Sequence, residues 1–320
     1  MGGKAAEGLI KTKLSQHPAN QGLELYYRPI SNTELDQILP LEYGKHIPGD
    51  NSVVGTILNQ LIDANMIDPS YFPKFVLGST RLAAVSKYGA ENIEIDDFET
   101  DEIIQNALSK KTSFGDLDID VKMTKSGREI ADFLNQMNPE ALAARLGAGE
   151  IHIAIKMDDN SVLQMDLLGI SGDDPSREKF MQYSSFLDLS HDIKGVFATM
   201  LLRAVASAKQ PQNLGYFEEF LEANPDTDFA QKWSKITNSG YKPIMTRYIV
   251  SPDHLKLAVE VQKEGVKTIK KLFYPEFRKE YNDIESLAKF LLGDDAKGPE
   301  LLHARALAAY IRDNFTKEQI

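Results

Sequence analysis

Three aspartates at alternate positions are the residues of this chain with the clearest potential for chemistry. Asp116, Asp118 and Asp120 stand in the stretch GDLDID, and an apolar residue follows the first and the second of them. A period of two is typical of a half-buried strand, on which every second side chain shares a face. Carboxylates on one face repel each other, and Asp is a poor strand residue. A divalent cation such as Mg²⁺, which prefers hard oxygen ligands, would offset that repulsion.

Two other interpretations of the aspartates require no catalysis. An exposed edge strand would simply leave the carboxylates in water, and this interpretation stays open. A calcium-binding loop also alternates its acids, but it has glycine at the sixth position and glutamate at the twelfth. Counted from Asp116, these positions hold Val121 and Gly127, so the calcium loop is disfavoured.

Two further stretches contain residues that such a site would need. Asp166 interrupts the apolar run VLQMDLL, where a lone charge calls for a partner. The stretch FVLGSTR predicts a short strand, a turn at Gly78 and Ser79, and a helix. The N-terminus of a helix offers unpaired backbone N–H groups and a positive dipole end, which can hold phosphate. Because Ser79 is also an ordinary N-cap, the turn gains weight only from the two acidic strands.

Taken together, FVLGSTR, FGDLDIDV and VLQMDLL resemble the motifs of the DNA polymerase beta-like nucleotidyltransferase superfamily. The similarity covers about residues 72–210 and implies an α+β fold with a palm-like mixed sheet flanked by helices. It implies that Asp116 and Asp118 hold two Mg²⁺ ions, with Mn²⁺ as a substitute, and that Asp166 completes the catalytic and metal site. Asp120 is then an additional acid, and a register that uses Asp118 and Asp120 is the alternative.

The resemblance also implies a reaction, in which a nucleoside monophosphate passes from a nucleoside triphosphate such as ATP to an acceptor hydroxyl. The acceptor stays open between a nucleic acid, a small molecule, a protein side chain and a second nucleotide. The predicted nucleotide-binding residues are Gly78, Ser79, Arg81, Tyr183 and Lys194. The alternatives are a non-catalytic nucleotide-binding or structural protein that retains this fold, and a metal-binding domain without a nucleotide.

Apolar spacing predicts the elements that must position these residues. It indicates helices over residues 54–62, 82–88, 102–108 and 130–137, and a long helix from Ser190. The stretches IHIAIKM and SVLQMDLLGI predict a hairpin. Asn138-Pro139-Glu140 predicts the start of another helix, which Gly147 would end.

The predicted organisation has three parts. An N-terminal helical and irregular segment covers residues 1–70, a catalytic core covers 71–210, and a mostly helical C-terminal subdomain covers 211–320. Within the core, an acidic segment at about 90–110 separates the Gly78-Ser79 turn from the aspartates. We expect this segment to loop out as an insertion.

Composition limits the classes of protein. The chain has 320 residues, of which 42% are hydrophobic and 26% charged, with a net charge of -11, as in an ordinary globular protein. It has no cysteine, which excludes disulfides, thiolate catalysis and cysteine-ligated zinc. The N-terminus lacks the apolar core of a signal peptide, and no stretch has the ~18 apolar residues of a membrane span. We therefore expect a cytoplasmic protein without a membrane partner.

A basic and aromatic stretch near the C-terminus has two interpretations. It could bind an acceptor nucleic acid, or it could be an amphipathic helical face with solvated lysines. Its members are Lys263, Lys267, Lys270, Lys271, Phe273, Tyr274, Phe277 and Arg278.

Overall fold

The chain divides into two compact units. The first is formed by Met1–Glu178 and Gln182–Asp192, and the second by Lys179–Met181 and Ile193–Ile320. The fold is that of a computed structural model, which describes residues 3–70, 80–93, 99–147, 150–169, 186–190, 197, 200–202, 204–205, 214–251, 254–267, 270–280, 284–297 and 303–316. Within these residues, no helix combines the length and the apolar character needed to cross a membrane.

The first unit is an α+β structure. Its helices are α1 (Gly3–Leu9), α2 (Leu35–Ile38), α3 (Val53–Asp63), α4 (Thr80–Tyr88), α5 (Asp101–Lys110), α6 (Gly127–Met137) and α7 (Phe186–Leu189). A π-helical turn at Ile10–Leu14 follows α1 directly, and 3-10 turns lie at Pro18–Asn20, Asn32–Glu34 and Ala90–Asn92. Its strands are β1 (Tyr26–Tyr27), β2 (Ile30–Ser31), β3 (Ser113–Phe114), β4 (Leu117–Val121), β5 (Leu142–Leu146), β6 (Glu150–Lys156) and β7 (Ser161–Gly169).

A five-stranded mixed sheet is built around β7. The strand β6 pairs antiparallel with one edge of β7, and β5 pairs antiparallel with β6. Along the other edge, β1 pairs parallel with the start of β7 and β4 pairs parallel with its last five residues. The predicted β6–β7 hairpin is confirmed, and its turn contains Asn160 at a φ of 64°, a conformation that asparagine tolerates well.

Local capping signals explain why several predicted helices form. Ser52 caps α3 by accepting a hydrogen bond from the backbone N–H of Gly55, and Ser126 and Glu129 form a capping box at the start of α6. The helix α4 ends before Gly89, which adopts a φ of 86° that glycine reaches without strain. The predicted helices over 54–62, 82–88, 102–108 and 130–137 are thus present as α3, α4, α5 and α6.

The helix predicted after Asn138-Pro139-Glu140 is wrong, because residues 142–146 form the strand β5. Leu142 and Ala144 are buried in the main core, and the segment pairs with the open edge of β6. The side chain of Asn135 on α6 bonds both the N–H and the C=O of Ala144. These tertiary contacts outweigh the helix preference of leucine and alanine.

The acidic segment at about 90–110 does not loop out as expected. It contains α5, whose Ile104 and Ala107 belong to the main hydrophobic core of the first unit. That core also includes Ile30, Leu35 and Leu58 from the first 70 residues, so the N-terminal part belongs to the same packed unit as the sheet.

The second unit combines helices with a sheet that the sequence analysis missed. Its helices are α8 (Leu214–Ala223), α9 (Asp228–Asn238), α10 (Ile284–Leu292) and α11 (Ala304–Asn314), and the described residues 197, 200–202 and 204–205 of the predicted long helix are helical. Its strands β8 (Tyr241–Ser251), β9 (His254–Lys263) and β10 (Lys270–Glu280) form an antiparallel sheet with β9 in the centre. The prediction of a mostly helical subdomain therefore needs correction.

The alternation in HLKLAVEVQK explains the missed sheet. Val259 and Val261 face one side of β9 and pack with Phe229 of α9 and Leu272 of β10. A period of two with β-branched residues is the pattern of a half-buried strand, although Lys256 and Lys263 in the same stretch are also compatible with the solvated face of an amphipathic helix.

Candidate functional site

The pairing of β4 with β7 brings the predicted acids together. In this parallel pair Asp118 lies opposite Asp166. Asp116 comes just before β4, and one carboxylate oxygen from each of Asp116, Asp118 and Asp166 lies within 4.8 Å of the others. The structure therefore groups the first two aspartates of the motif with Asp166.

Asp120 lies outside this group as far as the described residues show. It lies two residues further along β4 than Asp118, opposite Leu168, and is almost fully buried. Burial raises the pKa of its carboxyl to about 7, and its Oδ2 has no hydrogen-bond partner among the described residues. The geometry thus favours the register with Asp116 and Asp118 over the alternative with Asp118 and Asp120.

The acidic group is electrostatically strained without a cation. Burial, followed by repulsion from Asp116, Asp166 and Glu150, raises the pKa of the Asp118 carboxyl to about 8. Burial also raises the pKa of Asp166, although hydrogen bonds from His152 and Gln164 oppose that shift. Ionisation of one of these carboxyls makes ionisation of its neighbours less favourable, so a bound cation would relieve the repulsion.

The N-terminus of α4 lies directly beside the acids. The backbone N–H of Asp118 donates a hydrogen bond of 2.9 Å to the Oγ1 of Thr80, the first residue of α4. The same hydroxyl donates to the C=O of Asp116 at 3.5 Å. One threonine therefore holds the helix start against the acidic strand, although the acidic segment separates the two in sequence.

Arg81 does not have the place that the sequence analysis predicted. Its guanidinium is almost fully buried and donates to both oxygens of Glu99, at 3.1 and 2.8 Å. It also stacks over the ring of Phe186, with 4.4 Å between Cζ and the ring centroid. The prediction that it contacts a triphosphate is corrected, because its donors are turned into the core, where they link α4 to the start of α7.

Four other predicted nucleotide contacts lie outside the described residues. They are Gly78, Ser79, Tyr183 and Lys194, and the strand predicted at 75–77 lies outside them as well. Their predicted roles stay predictions.

Two residues that the sequence analysis left aside hold Asp166. The Nδ1 of His152 lies 2.9 Å from its Oδ1, and the Nε2 of Gln164 donates to both carboxylate oxygens at 3.0 and 2.9 Å. The backbone N–H of Ala6 in α1 donates to the Oε1 of Gln164. The predicted hairpin did contain a signal for His152, because residues 152 and 166 lie equally far from its turn at Asp159.

Tyr27 is a further residue near the acids that the sequence analysis did not identify. Its hydroxyl donates a hydrogen bond to the C=O of Gly115, immediately before Asp116. Burial, and then the charges of Asp116 and Asp166, raise the pKa of this phenol to about 12, so it stays protonated as a donor. It lies on the two-residue strand β1, which is too short to leave a recognisable pattern in the sequence.

The donor set fits a hard divalent cation. Asp116, Asp118 and Asp166 offer only carboxylate oxygens, which Mg²⁺ and Mn²⁺ prefer. Within the described part of the chain, no lysine or arginine forms an ion pair with any of the three. The triad could therefore bind a metal ion.

Comparisons with known proteins add no identification. Protein-family models, curated proteins and solved structures were compared with the chain, and none gave a significant match.

Proposed function

We propose that this protein is a metal-dependent nucleotidyltransferase, which moves a nucleoside monophosphate from a nucleoside triphosphate to an acceptor hydroxyl. The observation that carries the proposal is the grouping of Asp116, Asp118 and Asp166 within 4.8 Å beside the start of α4. The resemblance of the two acidic stretches to the nucleotidyltransferase motifs agrees with this grouping. In particular, the two acids that the resemblance selects in GDLDID are the two that lie next to Asp166.

In this proposal the three aspartates hold Mg²⁺ or Mn²⁺. The bound cations would neutralise the negative charge of the triphosphate and of the departing pyrophosphate. The positive charge of a cation would stabilise the ionised carboxyl of Asp118 in particular, because burial and its acidic neighbours disfavour that ionised form. Gln164 and His152 keep the carboxylate of Asp166 in one orientation, as outer partners of metal ligands commonly do.

The transfer would exchange one phosphorus–oxygen bond for another. The acceptor oxygen would form a bond to the α-phosphorus and lose its proton to the carboxylate of Asp166, while the bond to the bridging oxygen breaks and pyrophosphate leaves. Asp166 would face the attacking hydroxyl. Backbone N–H groups at the start of α4 would bind phosphate oxygens, with the positive end of the helix dipole directed at them. Most of the rate enhancement would come from positioning and charge stabilisation.

Label transfer tests the reaction. The protein is incubated with Mg²⁺, α-labelled nucleoside triphosphates and separate pools of RNA, DNA, proteins and small hydroxyl compounds. We expect one pool to acquire label, and we expect Asp116→Ala and Asp118→Ala each to lower the rate by about 10²-fold or more. Asp132→Ala is the matched control, since Asp132 is an exposed aspartate of α6. Transfer that survives in both site variants would refute the assignment of the site.

A binding measurement separates catalysis from its non-catalytic alternatives. We expect a nucleoside triphosphate to raise the melting temperature only when Mg²⁺ is present, and we expect Asp118→Ala to abolish this shift. A shift without label transfer to any acceptor would favour a non-catalytic nucleotide-binding protein. A shift with Mg²⁺ alone, which the nucleotide does not increase, would favour a metal-binding domain.

A further inference from the structure

An open groove lies at one end of the three-stranded sheet in the second unit. It has a volume of about 730 Å³ and is lined by Lys242, Pro243, Ile244, Gln262, Lys263, Glu264, Gly265, Val266 and Lys267. The pairing of β8 with β9 shifts register between Pro243 and Met245, so Ile244 is the extra residue of a β-bulge. A bulge increases local twist and bends its strand.

The groove is positively charged in a chain whose net charge is negative. Lys242, Lys263 and Lys267 line it and are exposed, and Glu264 is the only acidic residue among the described lining residues. The exposed Lys270 lies close by, with its Nζ 4.1 Å from the ring centroid of Tyr241, the residue that pairs with Lys263. Within the described ranges, none of the three lining lysines forms an ion pair, so their charges are available to a ligand.

The residues of the basic stretch near the C-terminus lie in different places around the sheet. Lys263, Lys267 and Lys270 gather at the groove. Lys271 instead lies opposite the buried Glu260, and Arg278 pairs with Lys256 further along the sheet. The charges therefore do not form one helical stripe, and a subset of them is concentrated around a concave surface.

We propose that this groove binds the phosphate backbone of a nucleic-acid strand. Lysine ammonium groups act as point charges for phosphate, and a concave surface can follow a strand, whereas a membrane surface is flat. Among the lining residues that the structure describes, none is aromatic, so these residues offer no platform for stacking bases. Binding is therefore independent of base sequence and strongly dependent on salt. The proposal does not rest on nucleotidyl transfer, because every residue that it uses lies in the second unit.

Fluorescence anisotropy of the full-length chain tests this proposal. The probe is a labelled single-stranded 15-mer, as RNA and as DNA, in EDTA and without nucleotide, at several KCl concentrations. We expect affinity to fall linearly with salt on logarithmic axes. We expect the variant with Lys242→Gln, Lys263→Gln and Lys267→Gln to bind about 10- to 100-fold more weakly at low salt and to have a slope smaller by about 2.

Two further variants make the result specific. Lys4→Gln, Lys11→Gln and Lys125→Gln remove three exposed lysines of the first unit, which changes the net charge equally, and we expect little effect. Glu264→Gln removes the acidic lining residue, and we expect it to tighten binding about threefold. The proposal would be overturned if both triple variants weakened binding equally, or if the wild type did not bind at 50 mM KCl. It would also be overturned if the protein bound phosphatidylserine vesicles more tightly than the 15-mers and the groove variant weakened that binding to the same extent.

Discussion

Asp118 is the residue of the acidic group whose charge most opposes the stability of the folded protein. Its carboxyl has a pKa of about 8 in the folded protein, against 3.8 for an aspartate in an unfolded chain. Between these values, the folded protein without a cation retains a proton that the unfolded chain loses. Stability of the metal-free protein therefore falls as the pH rises from about 4 to 8, and the loss is complete above the folded pKa.

Asp118→Asn should remove this pH dependence in large part. The amide cannot ionise, so in EDTA at pH 8 we expect the variant to melt about 5–15 °C higher than the wild type, with no gain at pH 4. It should bind Mn²⁺ much more weakly, because one ligand has lost its charge. Melting curves between pH 4 and 8.5 measure the first effect, with Asp132→Asn as the control, and parallel curves for wild type and Asp118→Asn would contradict it.

His152 should act on the metal site through the orientation of Asp166. Its Nδ1 bonds the carboxylate, and its Nε2 lies 3.3 Å from Glu150. We expect His152→Ala to weaken Mn²⁺ binding about 10- to 100-fold. His152→Asn keeps a donor near the position of Nδ1 and should retain most of the affinity. Titration calorimetry measures both variants, and equal losses would indicate a packing role instead.

At the scale of elements, Thr80 joins the start of α4 to β4. Thr80→Val keeps the shape of the side chain but leaves the N–H of Asp118 and the C=O of Asp116 without their partner. We expect a loss of about 1–3 kcal/mol in the free energy of unfolding and a slower transfer reaction. Thr80→Ser restores the hydroxyl and should recover both. Urea denaturation and the labelling assay measure these effects, and a Thr80→Val variant with wild-type values would show that the contact is dispensable.

The pair formed by Arg81 and Glu99 should be structural. Arg81→Met removes the guanidinium that pairs with the buried carboxylate of Glu99, and we expect a loss of about 3–5 kcal/mol in the free energy of unfolding. Adding Glu99→Gln removes that charge and keeps an acceptor for the backbone N–H of Phe186, which now bonds Glu99 at 2.7 Å. The double variant should recover about 1–2 kcal/mol.

The same double variant tests the corrected role of Arg81. Because the guanidinium is turned into the core, the folded double variant should retain label transfer. Loss of transfer in a protein with the wild-type circular dichroism spectrum would favour the triphosphate contact that the sequence analysis predicted.

At the scale of the whole molecule, the two units should respond to different ligands. Every acid of the proposed metal site lies in the first unit, and a ligand stabilises the structure to which it binds. We expect Mn²⁺ and a nucleoside triphosphate to slow hydrogen exchange in residues 80–88, 117–121 and 161–169, with little change in 241–280. Mass spectrometry measures this, and protection confined to 241–280 would move the nucleotide site to the second unit.

The sequence by itself determined the local elements and the residue types of the site. The capped helices α3 and α6, the β6–β7 hairpin and the alternation in GDLDID depend on neighbours a few residues apart, so a short window contains their signal. For the same reason the acids Asp116, Asp118 and Asp166 stand out in the sequence alone.

Only the tertiary structure decided which of these residues meet. A shift of β4 by two residues against β7 would keep the same face buried, so the strand pattern could not choose between Asp116 and Asp120. The contact of Thr80 with β4, the burial of Arg81 and the strand β5 all depend on partners far away in sequence. Pairing register and burial are set by the packed core as a whole, and local patterns do not contain that information.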